Sequence, residues 1–155
     1  MEQANRTGYK VVVHEISPGV VYRDQNVTVT AFAVKHGSWD QAFGYRFDTR
    51  DRQIVISGDT APSDAVVKAC NGCDVLLHEV YNPKRDELRD PHWKAYFESF
   101  HTSPKELGDI ASRAHPKLLV LYHQVLGERS EQDLMEQVQQ YYSGKFVSAK
   151  DLGVY

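Results

Sequence analysis

The chain has 155 residues, 18 of them basic and 21 acidic, for a net charge of -3. That length reads as a single domain, 1–155, able to bury about two thirds of its unfolded surface. The charge balance excludes a global pull toward nucleic acid or anionic membrane. No apolar run reaches the roughly 20 residues of a membrane span, and Met1 to Arg6 holds no apolar signal core. The expected compartment is therefore the cytoplasm, where the sequon Asn26-Val27-Thr28 stays bare and two cysteines form no disulfide framework.

The elements follow in chain order. Val11 to Ile16 reads as a strand, Ser17-Pro18-Gly19 as a turn, and Val20 to Arg23 as a short return. Val27 to Val34 alternates as a sheet strand does, and His36 lies just past its end. Phe43 to Phe47 and Gln53 to Ser57 form a hairpin across Asp48 to Arg52. A helix is expected from Ser63 to Cys70, a buried strand from Asp74 to His78, and a charged loop from Tyr81 to Arg89. His92 to Phe100 is an aromatic-rich helix. Ser103, Pro104 and Glu106 then spell a capping box at the head of a helix that ends near His115-Pro116. Lys117 to Tyr122 is a third buried strand, followed by a helix from Ser130 to Tyr142 and a short strand at Phe146-Val147.

Ligand sites in sheets of this kind gather outside the carboxyl ends of the strands, where side chains leave the core yet stay anchored by it. Asp59 ends the β-branched run Ile54-Val55-Ile56-Ser57-Gly58. It either holds a metal ion and its water or caps the following helix. His36 and His123 also sit at strand ends, with His78, Glu79 and His101 at two more. Each histidine alone is more often a hydrogen-bonded or exposed imidazole. Together, imidazoles and a carboxylate from neighbouring strand ends are the donors that a borderline metal such as zinc takes.

Val34-Lys35-His36, Phe43-Gly44-Tyr45-Arg46, Ser57-Gly58-Asp59-Thr60, Leu76-Leu77-His78-Glu79, His101-Thr102-Ser103 and Leu121-Tyr122-His123 resemble, in order, motifs of the metallo-β-lactamase superfamily. The nearest branch is that of ribonuclease Z and its hydrolase relatives. The resemblance implies roles for particular residues. His36, Asp59 and His123 would be metal ligands, with Asp59 the carboxylate that bridges two ions in the family. His101 would stabilise the charged transition state or protonate the leaving group, and Glu79 would orient it. The free amides expected at the following helix N-terminus would favour an anionic phosphoryl or sulfuryl group. The fold implied is α/β (α+β), half of the family's αββα sandwich, with a mixed sheet and helices on one face.

The family's His-x-His-x-Asp-His loop does not occur in this sequence. The paired-metal mechanism, with two ions about 3.5–4 Å apart, cannot then be assembled from these residues. The expectation is one zinc ion at most, with manganese or iron as alternatives. The inner sheet face, expected to include residues among Val29, Ala31, Ala33, Ile54, Ile56, Leu76, Leu119 and Leu121, would be left open. It would be covered by a second copy of the chain in a homodimer or by a partner chain. The reading is thus a metal-dependent hydrolase of phosphodiesters or related esters, incomplete or inactive as an isolated chain; the alternative is a non-catalytic assembly module with a vestigial metal or anion site. Small phosphoesters, aryl sulfates, lipid-like esters and RNA, including tRNA 3′ ends, all remain open as substrates. Cys70-Asn71-Gly72-Cys73 reads as helix packing followed by a C-cap turn, ahead of a redox pair. Trp93, Tyr96, Phe97 and Phe100 form either a pocket wall or a packed helix face.

Overall fold

A computed structural model describes residues 12–155. Its seven strands form one sheet in sequence order: β1 (Gly19–Arg23), β2 (Val27–Ala33), β3 (Phe43–Thr49), β4 (Gln53–Ile56), β5 (Val75–Tyr81), β6 (Leu118–Val125) and β7 (Phe146–Ser148). The first four are antiparallel neighbours. From β4 onward the pairing is parallel, which requires crossovers, and helices supply them. These are α1 (Asp64–Cys70), α2 (Pro91–Phe100), α3 (Pro104–Ala114) and α4 (Glu131–Tyr141). Short local signals start them. Ser63 caps α1, Asp90 caps α2 ahead of Pro91, and Ser130 caps α4. Ser103 and Glu106 close the expected capping box on α3.

Register decides which face of the sheet is covered. Val55, Leu76 and Leu119 lie side by side across β4, β5 and β6. With Leu121 they are fully buried under Val66 of α1, Leu107 and Ile110 of α3, and Leu134 and Val138 of α4. One residue out of phase, Ile56, Leu77 and Val120 present the opposite face, joined by Tyr45 and Ala31 on the antiparallel side. Ile54, Ile56, Val75, Leu77 and Leu118 on this second face are only partly buried. The set assigned to the inner face from sequence is therefore divided. Val29, Ala31, Ala33, Ile54 and Ile56 belong to it, while Leu76, Leu119 and Leu121 lie under the helices. Side chains alternate along each strand, but which parity meets the helices depends on cross-strand register.

Other expectations need correction. Val12 to Ile16 is not a strand; Val13 is 81% exposed, and β1, the edge strand, begins only at Gly19. Val11 lies outside the described residues. β5 continues through Tyr81, and Asp86–Arg89 forms a 3₁₀ turn within what was read as loop. Asn71 does end α1 in the left-handed region, at φ 38, and Gly72 follows at φ 86. That reversal brings Cys73 back toward Cys70, and the two form a disulfide buried in the core, where unbonded cysteines were expected. No helix among the described residues is long and apolar enough to cross a membrane.

Candidate metal centre at the carboxyl ends of the strands

Asp59 leaves the sheet because Gly58 bends the chain. Gly58 has φ +66, and a Cβ there would come within 2.5 Å of the Phe43 carbonyl oxygen, so only glycine suits the turn. The Ser57 hydroxyl donates to the Gly58 carbonyl at 2.7 Å and accepts from the Glu79 amide at 3.3 Å. Asp59 is not the cap of α1, because Ser63 takes that role. Its carboxylate instead points outward, 39% exposed, with Oδ2 3.2 Å from Nε2 of His123.

His123 arrives by a different device. Tyr122 pairs with Glu79 and Gln124 with Val80, so His123 is an extra residue, bulged out of β6 at φ 42. Bulges re-aim side chains near functional sites, and a left-handed non-glycine residue stores strain that its surroundings must hold. Here the Gln124 side chain holds the bulge, donating to the Leu121 carbonyl at 3.0 Å and to Ser148 Oγ at 2.7 Å.

His101 ends α2, its amide bonded to the Phe97 carbonyl. One ligand atom each from Asp59, His101 and His123 lie within 4.8 Å of one another. The sequence-level triad of His36, Asp59 and His123 is thus arranged differently. His36 stands one ring further out, 5.5 Å from the His101 ring between centroids. Its Nδ1 meets the Phe100 carbonyl at 2.9 Å. A carbonyl only accepts, so that nitrogen carries the proton and Nε2 keeps its lone pair, the tautomer a metal-bound imidazole needs.

Glu79 lies beneath the cluster, fully buried. Its Oε1 accepts the amides of Thr60 at 3.2 Å and Thr102 at 2.9 Å, and Thr102 Oγ1 donates to the Thr60 carbonyl. Its Oε2 is 3.4 Å from His101 Nδ1. Burial pushes the Glu79 carboxyl above its ordinary range, against the pull of His101 and the two amides. Nothing in the six-motif pattern singled out Thr60 and Thr102 as the tie between these loops, although both lie within it. The amides at the head of α3 are already engaged: Thr102 by Glu79, Ser103 by Glu106, and Glu106 by Ser103. Those three amides are not available to an anion, and Pro104 has none to offer.

His78 takes no part in this cluster. It is fully buried, its Nδ1 donating to the Glu79 carbonyl at 2.7 Å, and burial lowers its pKa to about 4. A cavity of about 350 Å³ opens beside His123, lined also by Tyr122, Gln124 and Lys150. A groove of about 440 Å³ along α3 shares no residue with the site, and its Arg113 is already paired with Asp64 and Asp109.

The donor chemistry fits a metal. Two imidazoles and a carboxylate, with a third imidazole held in the ligand tautomer nearby, match what zinc, manganese or iron accept.

Comparison with known proteins agrees with this fold. Ribonuclease Z of Bacillus subtilis (strain 168) is 26% identical over 165 aligned positions, covering 74% of this chain and 51% of that protein. Ribonuclease Z of Mycobacterium bovis (strain BCG / Pasteur 1173P2) is 25% identical over 146, covering 92% and 51%. The chain spans about half the length of the curated relatives it matches. Among solved structures, the metallo-β-lactamase fold protein YhfI from Bacillus subtilis superposes with a TM-score of 0.66 at 21% identity, over 87% of this chain and 52% of that one. The short form of human tRNase Z gives 0.58 at 24%, over 88% and 45%. The fold is therefore that of the metallo-β-lactamases. The family model described as the beta-lactamase superfamily domain matches residues 1–124, and the chain belongs to that superfamily.

Proposed function

We propose that this chain carries one side of a metal-dependent hydrolase site of the ribonuclease Z type, acting on phosphodiesters of RNA or on smaller phosphoesters. The observation that carries the reading is the convergence of Asp59 and His123, from the strand ends, with His101 from the end of α2. Asp59 and His123 would hold the ion, with His36 as the third donor through Nε2. Zinc held there would supply Lewis-acid chemistry and a nucleophile near neutral pH. Glu79 positions His101. The two ring nitrogens of an imidazole point in different directions, so with Nδ1 turned to Glu79, Nε2 faces away from it and can pass a proton to the leaving oxygen.

Zinc titration by calorimetry tests the assignment. Asp59→Ala, His123→Ala and His36→Ala are each expected to weaken zinc binding by at least about 100-fold, since loss of an outer partner alone costs about 10–100-fold. His101→Ala is expected to keep wild-type zinc affinity. If His101→Ala loses zinc and His36→Ala does not, His101 is the third ligand. A wild-type chain that binds zinc no better than Asp59→Ala overturns the reading.

The partly buried apolar face of Ile54, Ile56, Val75, Leu77 and Leu118 supports a further part of the proposal: a second copy of the chain packs there, sheet against sheet. Light scattering is expected to give twice the 17.7 kDa of one chain, and Leu77→Asp to return it to one. A monodisperse monomer of the unaltered chain removes the dimer.

A further inference from the structure

Rings run outward from the metal centre in unbroken contact. His123 lies 5.9 Å from His101 between centroids, and His101 lies 5.5 Å from His36. From His36 the contacts fork, to Trp39 at 6.1 Å and to Phe100 at 4.8 Å. Phe100 stacks on Tyr96 at 4.3 Å, and Tyr96 meets Trp93 at 5.8 Å. His101 is buried and His36 and Phe100 are half-buried, but the outer rings are not. Trp39 is 67% exposed, Trp93 51% and Tyr96 42%, whereas Phe97 on the same helix is buried against Tyr81. The ambiguity of the aromatic helix is resolved by position: Phe97 is packing, and Trp93 and Tyr96 face solvent.

The backbone that carries the exposed rings is held in place. The Gly37 amide donates to the Ser99 carbonyl at 2.9 Å, His36 Nδ1 bonds the next carbonyl at Phe100, and the Trp39 amide closes a turn onto His36. Gly37 sits at φ +54, and a Cβ there would fall inside the Phe100 ring. The loop bearing Trp39 is thus pinned to the end of α2. A fixed aromatic surface loses little entropy on binding.

We propose that Trp39 and Tyr96, with Trp93 beyond them, form a stacking platform for a nucleobase of a single-stranded RNA next to the phosphate at the metal centre. This rests on the hydrolase reading above and names where its substrate is gripped. Base–aromatic stacking is sequence-tolerant and needs no cation. That suits a chain of net charge -3, which lacks the basic excess for a long phosphate track, so the contact is one or two bases. Both tryptophans of the chain belong to the platform, and their fluorescence reports on it directly.

The test titrates the whole chain, without added metal so that the strand stays intact, with a tetra-adenylate ribonucleotide and with an abasic strand of equal phosphate count. Tetra-adenylate is expected to quench tryptophan emission and to bind at least about tenfold more tightly than the abasic strand. By anisotropy of a labelled strand, Trp39→Leu and Tyr96→Leu are each expected to weaken tetra-adenylate about tenfold and leave the abasic strand unchanged. Zinc titration of both variants is expected to match wild type. Equal binding of the two strands, or no loss in Trp39→Leu, overturns the platform. If the chain discriminates the strands but fails to bind zinc, the platform stands and the metal assignment falls. If zinc binds normally and the strands are not discriminated, only the platform falls.

Discussion

Glu79→Ala is expected to lower the stability of the fold by about 3–5 kcal/mol. The magnitude follows from what the carboxylate holds. It is fully buried and accepts two backbone amides, those of Thr60 and Thr102. Each buried donor left without a partner costs about 1–3 kcal/mol, and the alanine would orphan both of these amides. Glu79→Gln keeps an oxygen for the amides and is expected to cost less, while presenting the wrong group to His101. Urea unfolding followed by circular dichroism measures both, the midpoint moving with an unchanged slope. An alanine variant within about 1 kcal/mol of wild type, well below what the lost contacts demand, would mean that Glu79 does not organise these loops.

Mild acid is expected to weaken the protein through His78. Its folded-state pKa is lowered to about 4 from an ordinary 6.5 by burial. Between those values the unfolded chain binds a proton that the folded chain refuses, so stability rises with pH across the window. The contribution is whole above pH 6.5 and is lost as the pH falls toward 4, in all about 3 kcal/mol at 1.36 kcal/mol per unit. Melting should drop by roughly 6–12 °C over that range. Glu79 opposes this in part, since its raised pKa lets the folded state take up a proton early. The salt-bridged Asp64, Asp74 and Asp133 have lowered values, and their share is lost only below the ordinary aspartate range. His78→Gln, neutral throughout, should flatten the melting-versus-pH curve between 6.5 and 4. A curve as steep as wild type would assign the acid loss elsewhere.

Much of the fold is legible because its signals are local. Ser103, Pro104 and Glu106 announce α3 within four residues, and β-branched runs mark β4 and β6. The strand-end position of Asp59 follows from Gly58 directly before it. Non-local features are less legible. The parity that puts Leu76 under helices and Leu77 on the open face depends on cross-strand register. The Cys70–Cys73 bond depends on the two left-handed residues between them, and CxxC spacing is equally compatible with free thiols. The approach of His101 to Asp59 and His123 depends on where α2 stops, which a neighbouring loop settles through Gly37 and Ser99.

The bulge at His123 has a consequence for how the molecule tolerates change. Because that residue stands outside the pairing ladder, the leucines of β6 and the imidazole answer to separate demands. Leu119 or Leu121 can be exchanged for another apolar residue and tax the scaffold alone. Excising the single codon for residue 123 would instead let Gln124 follow Tyr122 directly, still opposite Val80, leaving an uninterrupted strand with no imidazole beside Asp59.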